Sequence, residues 1–344
     1  MNKTATILRL CLMAATTWLL AGCITEDEFD NTPSGNFEAL WRTLDEHYCF
    51  FPEKAAAHQL DWNEVHERYR QKIVPTMNSE QLFEVCSHML RELRDGHVNL
   101  TSSFNVARYW DWFENYPANF SDSLLRRYLG KDYAISAGLR YRILDDNIGY
   151  IYCGSFDHAY GSGNLNAVFT KLAMCNGLIV DIRNNEGGML SEAQNLAGCF
   201  TNEEITGGYM AHKTGPAHDA MSKPEPLKVK PAEGIRWQRK TVVLTNRSTY
   251  SAANTFAMYM RACKNVTLMG TPTGGGGGMP FHSELPNGWS VRFSACPMFD
   301  KDMNCVEEGI EPDLRVELTE EDFRQGFDTM IEAARAYLKT GEKP

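Results

Sequence analysis

Three short stretches carry side chains able to do chemistry. In "RSTYSAANTF", Arg247–Phe256, Ser251 lies between an apolar run, "KTVVL", and a helical pattern that begins at Ala252. Its hydroxyl could be a nucleophile, because the unpaired N–H groups and positive dipole end of a helix N-terminus favour an alkoxide and the oxyanion it forms. The commoner role of a serine at such a junction is to cap the helix, with Ser248 and Thr249 as rival caps. In "LRDGHVNL", His97 follows a helical pattern whose natural terminator is Gly96. An imidazole in a turn can be aimed at a neighbouring element and take a proton at neutral pH, or it can simply face the helix dipole. In "IVDIRNNEGG", Gly187 and Gly188 end a continuous apolar strand. Glycines there can turn backbone amides toward an oxyanion or make a plain turn. No Gly-Lys-Ser/Thr follows, so a phosphate loop is excluded.

The surrounding pattern supplies elements to hold these groups. Helical periodicity starts at Asn36, with Phe37, Leu40, Trp41 and Leu44 on one face. A second helix opens at Asp61 with Glu64 as its box partner, and a third at Asn78 with Gln81. Residues 36–100 therefore read as a small helical domain, and 101–140 as an irregular, aromatic-rich connector. From 141 to 344 strands alternate with helices. "RYRIL" and "IGYIYC" form a hairpin, "GLIVDI" is a strand buried on both faces, and "KTVVLT", the Ala252–Arg261 helix and "NVTLMG" make a βαβ unit. "SELPNGWSVRF" turns at Asn287-Gly288, and one helix, Glu320–Leu338, closes the chain.

The 344 residues are 43% hydrophobic and 23% charged, values of a globular chain. A net charge of −10 without a basic cluster argues against a nucleic-acid surface. Lys3 and Arg9 precede an apolar stretch from Leu10 to Ala21 that is too short for a membrane span. It ends in Leu20-Ala21-Gly22-Cys23, which resembles the lipobox of bacterial lipoproteins. That resemblance implies a signal peptide at 1–22, lipidation of Cys23, and an acidic tether at 23–35. The expected location is the outer membrane of a Gram-negative bacterium, facing the periplasm or the cell surface. The cysteines form no CxxC and lie at no metal-ligand spacing, so no metal or other cofactor is expected. Cys296 and Cys305 are near enough to close a loop, but most of the thiols are expected free and buried.

Taken in order, "LRDGHVNL", "IGYIYCGSF", "LIVDIRNNEGG", "TYSAANTF", "GTPTGGGGG", "LPNGWSVRF" and "EEGIEPDL" resemble the C-terminal-processing (tail-specific) serine peptidases and their tricorn-core relatives. The resemblance runs from about Phe37 to the C-terminus. It implies an α/β (α+β) fold with a crotonase-like, Clp-protease-like spiral core of ββα units. The span from His97 to Ile148 is too short for the family's usual PDZ insertion. It further implies Ser251 as nucleophile, the Ala252 amide and one from Gly187-Gly188 as oxyanion donors, and a peptide or unfolded protein segment as substrate. The lysine base of the processing branch falls on Gly276, and no lysine occurs from Asn265 to Asp300. The tricorn branch uses a histidine, which points to His97. Gly96 stands where that branch has a serine, and Asn254 where the family has an acid. For the third member Glu307 is preferred, with Glu308 and Asp95 as alternatives. These departures also motivate a second reading, a pseudopeptidase lipoprotein that binds peptides or protein termini without cutting them.

Overall fold

A computed structural model describes residues 29–343. The signal, tether and Cys23 expectations for residues 1–28 lie outside the described residues. The N-terminal block contains α1 (Pro33–His47), α2 (Phe51–His58), α3 (Trp62–Arg70) and α4 (Ser79–Arg91). The expected caps form at α3 and α4, but the reciprocal box forms only at α4, since no return bond from the Asp61 amide to the Glu64 side chain is present among the described residues. Asp61 accepts the Asn63 and Glu64 amides, and Asn78 and Gln81 form a reciprocal capping box. Helix α1 starts three residues before Asn36, because Pro33 sits in its first turn and Thr32 caps it. Helix α2 was not anticipated. It is short, with Phe51 and Lys54 as its buried face.

Strands β1 (Asn99–Thr101) and β2 (Val106–Ala107) follow, and the 101–140 stretch carries α5 (Asp111–Glu114) and α6 (Asp122–Leu129). The main sheet begins with β3 (Ala134–Ser136), β4 (Leu139–Ile143) and β5 (Ile148–Tyr152). After α7 (Ser162–Leu172) comes β6 (Gly177–Asp181), then α8 (Leu190–Gly198), β7 (Ile205–Met210) and β8 (Glu225–Val229). The chain continues through β9 (Thr241–Thr245), α9 (Ala252–Arg261), β10 (Val266–Gly270), β11 (Gly278–Glu284), β12 (Ser290–Phe299) and β13 (Leu314–Arg315). Two helices end it, α10 (Glu320–Gln325) and α11 (Thr329–Thr340), where one was expected. Gly326 takes a left-handed φ of 82° and Asp328 caps a new start, so the helix breaks.

The architecture is mixed α/β. Among the described residues one sheet has the order β13-β10-β9-β6-β5-β4-β3, parallel from β13 to β5 and antiparallel beyond. Alternate residues of its central strands enter opposite cores. Leu178, Val180 and Val243 pack with residues of α7, α8 and α9, while Ile179, Val242 and Leu244 pack with α6 and α11. Both faces are covered, which is why these strands read as unbroken apolar runs. In the second sheet β12 pairs with β11, β1 and β7. Val291 and Phe293 of β12, with Trp289 just before the strand, enter the core of the N-terminal helices, at about 1.5–3 kcal/mol for each side chain fully buried. That hairpin fastens the helical block to the sheet, and β1 begins two residues after His97.

Candidate active site

Strands β6 and β9 are parallel neighbours, with Asp181 opposite Leu244, so both leave the sheet at the same edge. The Gly187-Gly188 turn follows the first and Ser251 follows the second. Edges of this kind, at the carboxyl ends of parallel strands, are where α/β proteins hold ligands. Ser251 has φ 56° and ψ −123°, an unfavourable conformation for an L-residue. Such strain costs about 1–3 kcal/mol and persists only where surrounding contacts impose it. Here the Ser251 amide donates to the Gly275 carbonyl at 2.8 Å and the Tyr250 amide to the Asn185 carbonyl at 3.0 Å. The Thr249 hydroxyl donates to the Ile182 carbonyl at 3.0 Å, which locks the turn instead of capping the helix. Ser251 occupies the cap position but its side chain caps nothing. Its Oγ lies 3.0 Å from His97 Nε2.

His97 is 2% exposed. Its amide donates to Asp95 Oδ1 at 2.7 Å, and pairing of Asn99 with Arg292 anchors the strand just beyond it. Burial pushes the imidazole down to about 4, with Arg292 adding to the fall while Asp95 and the Gly278 backbone oppose it. The ring is therefore neutral at pH 7 and its Nε2 can accept a proton. Gly96 does not end α4 as expected. Arg94 takes the left-handed turn with φ 49°.

Gly187 has φ 109°, and a Cβ there would stand 2.8 Å from Ser251 Cβ and 2.9 Å from the Ala252 nitrogen, so only glycine brings the two turns together. Its amide is already committed to Asn185 Oδ1 at 2.9 Å. Among the described residues the amides of Gly188 and Ala252 have no acceptor, so of the two expected glycines Gly188 is the one with a free donor. Gly188 and Ser251 border one cleft of about 330 Å³, with Met189, Leu190, Met279 and Met298 as apolar walls and Arg292 at its side.

The expectation that Glu307 holds the His97 ring is corrected in one respect, since no direct hydrogen bond joins them. Glu307 is buried, with Oε2 accepting the Gly277 amide at 3.0 Å and Oε1 facing Lys54 Nζ at 3.3 Å. It therefore anchors the peptide next to Gly278, whose backbone faces the ring. Asp95 also misses the ring. Its Oδ2 accepts the Tyr48 hydroxyl at 3.1 Å and the Ser294 hydroxyl at 2.8 Å. Glu308 is half exposed and bonds Lys54 at 2.7 Å. His97 Nδ1 is buried with no partner among the described residues. Asn254 has its own explanation. Its Nδ2 donates to the Val306 carbonyl at 3.0 Å while its Oδ1 accepts the Thr273 hydroxyl at 2.6 Å, and a carboxylate could not do both.

Sequence reasoning missed Lys54. It is 1% exposed, and although burial disfavours its charge, Glu307, Asp95 and Glu308 together hold it above the ordinary lysine range. The one signal was its i+3 spacing from Phe51 on a short helix. Trp112 and Tyr250 were missed as well. Their rings stack at 4.0 Å, and the Tyr250 ring meets His97 edge-on at 5.0 Å. All eight cysteines in the described residues are free, including Cys296 and Cys305.

Residues 147–316 match Peptidase family S41 and residues 29–91 the Tricorn protease C1 domain. A candidate peptidase from Parabacteroides merdae, of known crystal structure, is 47% identical, covers 91% of this chain and 98% of its own, and superposes with a TM-score of 0.86. The mature CPAF structure covers 91% and 99% with a TM-score of 0.70, but at 12% identity this is a likeness of fold alone. The carboxy-terminal processing protease CtpA of Bacillus subtilis is 27% identical over 176 residues, 51% of this chain. The chain spans about a third of the length of the curated relatives it matches, 36% and 34%. The chain belongs to peptidase family S41.

Proposed function

We propose that this protein is a serine endopeptidase acting on peptides or unfolded protein segments, with Ser251 as nucleophile and His97 as general base. The observation that carries the reading is the 3.0 Å approach of His97 Nε2 to a strained serine whose hydroxyl is used for nothing else. As Oγ attacks the scissile carbonyl, its proton passes to Nε2, and the carbonyl oxygen becomes an oxyanion facing the Ala252 and Gly188 amides. His97 then gives the proton to the leaving amine, leaving an acyl ester on Ser251. Water attacks that ester, losing a proton to Nε2, and the returning proton frees Ser251 as the carboxylate product departs. Glu307 acts through the Gly277 amide, by fixing the strand that carries Gly278 past the ring. The methionine-rich cleft suits an apolar substrate side chain beside the scissile bond.

A fluorophosphonate probe tests this directly. Wild type should be labelled on Ser251, and both Ser251→Ala and His97→Ala should lose labelling. A folded wild type that neither reacts nor cleaves, but binds peptides as His97→Ala does, would replace this reading with peptide capture without cleavage. The proposal includes attachment to the outer membrane through lipidated Cys23, supported by Leu20-Ala21-Gly22-Cys23. Labelled palmitate should enter wild type and not Cys23→Ala.

A further inference from the structure

The His97 ring has no side-chain hydrogen bond on its far nitrogen, yet it stands within bonding distance of Ser251. The Gly278 backbone faces the ring, and what remains of its tilt is set by what packs against it. The Tyr250 ring lies across it, T-shaped at 60° and 5.0 Å, and the Trp112 indole stacks on the other side of Tyr250 at 4.0 Å and 22°. Trp112 is itself placed by its carbonyl, which accepts from Arg247 Nε at 2.5 Å. The layers run His97, Tyr250, Trp112.

Space for this stack comes from two positions where the chain has glycine and its resemblance implied functional side chains. A Cβ on Gly96 would lie 2.6 Å from Trp112 Nε1 and 2.8 Å from the Tyr250 hydroxyl oxygen. A Cβ on Gly276 would lie 2.5 Å from Tyr250 Cζ. Gly274 closes the same pocket, since a Cβ there would collide with the Trp112 ring. Three glycines thus border one aromatic pair, and neither a serine at 96 nor a lysine at 276 can coexist with it. Gly96 has no left-handed φ, so its lack of a side chain answers to space and not to backbone conformation.

We infer that the Trp112–Tyr250 stack positions His97, wedging the imidazole against Ser251 in place of a hydrogen-bonded third side chain. This rests on the Ser251–His97 reading and adds to it two positioning residues, with Gly96 and Gly276 as the cavity that admits them. The wedge also keeps water from the ring. The other charged groups facing His97 are Asp95 from its own turn and Arg292 from β12, with Glu307 one peptide away on Gly277. None of these is supplied by the stack, so removing an aromatic ring changes hydration and ring angle while leaving the charges in place.

The test uses the whole protein and two readouts. NMR titration follows the His97 imidazole, assigned by its loss in His97→Gln, and fluorophosphonate acylation of Ser251 is followed against pH. In Tyr250→Leu and Trp112→Leu, His97 should titrate upward from about 4 toward the ordinary 6.5, and acylation at pH 7 should fall about tenfold to a hundredfold, as misplacement of a base does. Tyr250→Phe, which keeps the ring, should restore both relative to Tyr250→Leu. If a leucine variant fails to fold, Trp112→Phe reads the same direction with a smaller shift. Folded leucine variants whose His97 titrates and whose Ser251 acylates as in wild type would overturn the inference, as would a Tyr250→Phe as impaired as Tyr250→Leu. A wild type that is never acylated sinks the peptidase reading, and the titration alone then decides the wedge.

Discussion

Replacing Lys54 by methionine isolates the buried charge cluster behind the active site. Lys54 is 1% exposed, and its Nζ reaches Glu307 Oε1 at 3.3 Å, Glu308 Oε1 at 2.7 Å and the Arg94 carbonyl at 3.3 Å. Methionine fills the same volume without charge, so the loss is electrostatic and not a cavity. Glu308 can turn to water, but Glu307 cannot, because its carboxylate lies under the Gly274–Gly278 run. Breaking one side of a buried pair costs about 3–5 kcal/mol. At about 2 °C per kcal/mol for a chain of this size, Tm should fall by roughly 6–10 °C. The pH dependence has a definite sign. Without Lys54 the Glu307 carboxyl, already pushed up by burial and Asp95, rises further above its unfolded value. A raised carboxyl leaves stability intact below the unfolded value near 4.3 and removes it as pH climbs toward the folded value. The deficit should therefore be small at pH 5 and grow toward pH 8. Denaturant melts of wild type, Lys54→Met, Glu307→Gln and the double variant at both pH values form the assay. Glutamine keeps an acceptor for the Gly277 amide, so the double variant should recover most of the loss. A deficit below about 1 kcal/mol that is flat with pH, or a double variant as poor as the sum of the singles, would refute the argument.

Two further outcomes follow from the same geometry. Gly187→Ala should abolish acylation of Ser251 and lower stability by about 1–3 kcal/mol, because φ 109° disfavours alanine and its Cβ would meet Ser251 Cβ at 2.8 Å; unaltered labelling in the folded variant would remove the Gly187-Gly188 turn from the site. His97 predicts an acid weakness. Its folded value of about 4 lies below the ordinary 6.5, so the unfolded chain binds a proton that the native one refuses as pH drops through that window. The stability gap between wild type and His97→Gln should shrink by about 3 kcal/mol from pH 7 to pH 4, at 1.36 kcal/mol per unit. A gap constant over that range would contradict a neutral, desolvated imidazole.

Much of the fold was legible along the chain because the signals are local. The Asn78–Gln81 box, the Asp61 cap, the unbroken "GLIVDI" run and the Asn287-Gly288 turn each depend on residues a few positions apart. Local reasoning failed where a single residue redirects the backbone, as at Gly326 in the final helix and Arg94 before His97.

At the site, the residues that came from the ordered motifs do meet in space, but their arrangement was not in the order. Ser251 read alone is a helix cap, and only its backbone conformation turns the hydroxyl away from α9 toward His97, 154 positions earlier. Which oxyanion glycine is free was decided by Asn185 taking the Gly187 amide. Glu307 and Asp95, candidates for the third member, each spend their oxygens on other donors. Lys54 reaches Glu307 across 253 positions, and no spacing rule links them. The sequence by itself determined the element types, the order of the motifs and the absence of a lysine near Gly276. The tertiary structure decided what orients His97, because that depends on which loops thread past one another. The glycines at 96 and 276 read in sequence as lost side chains. In the fold they are the space that Trp112 and Tyr250 occupy.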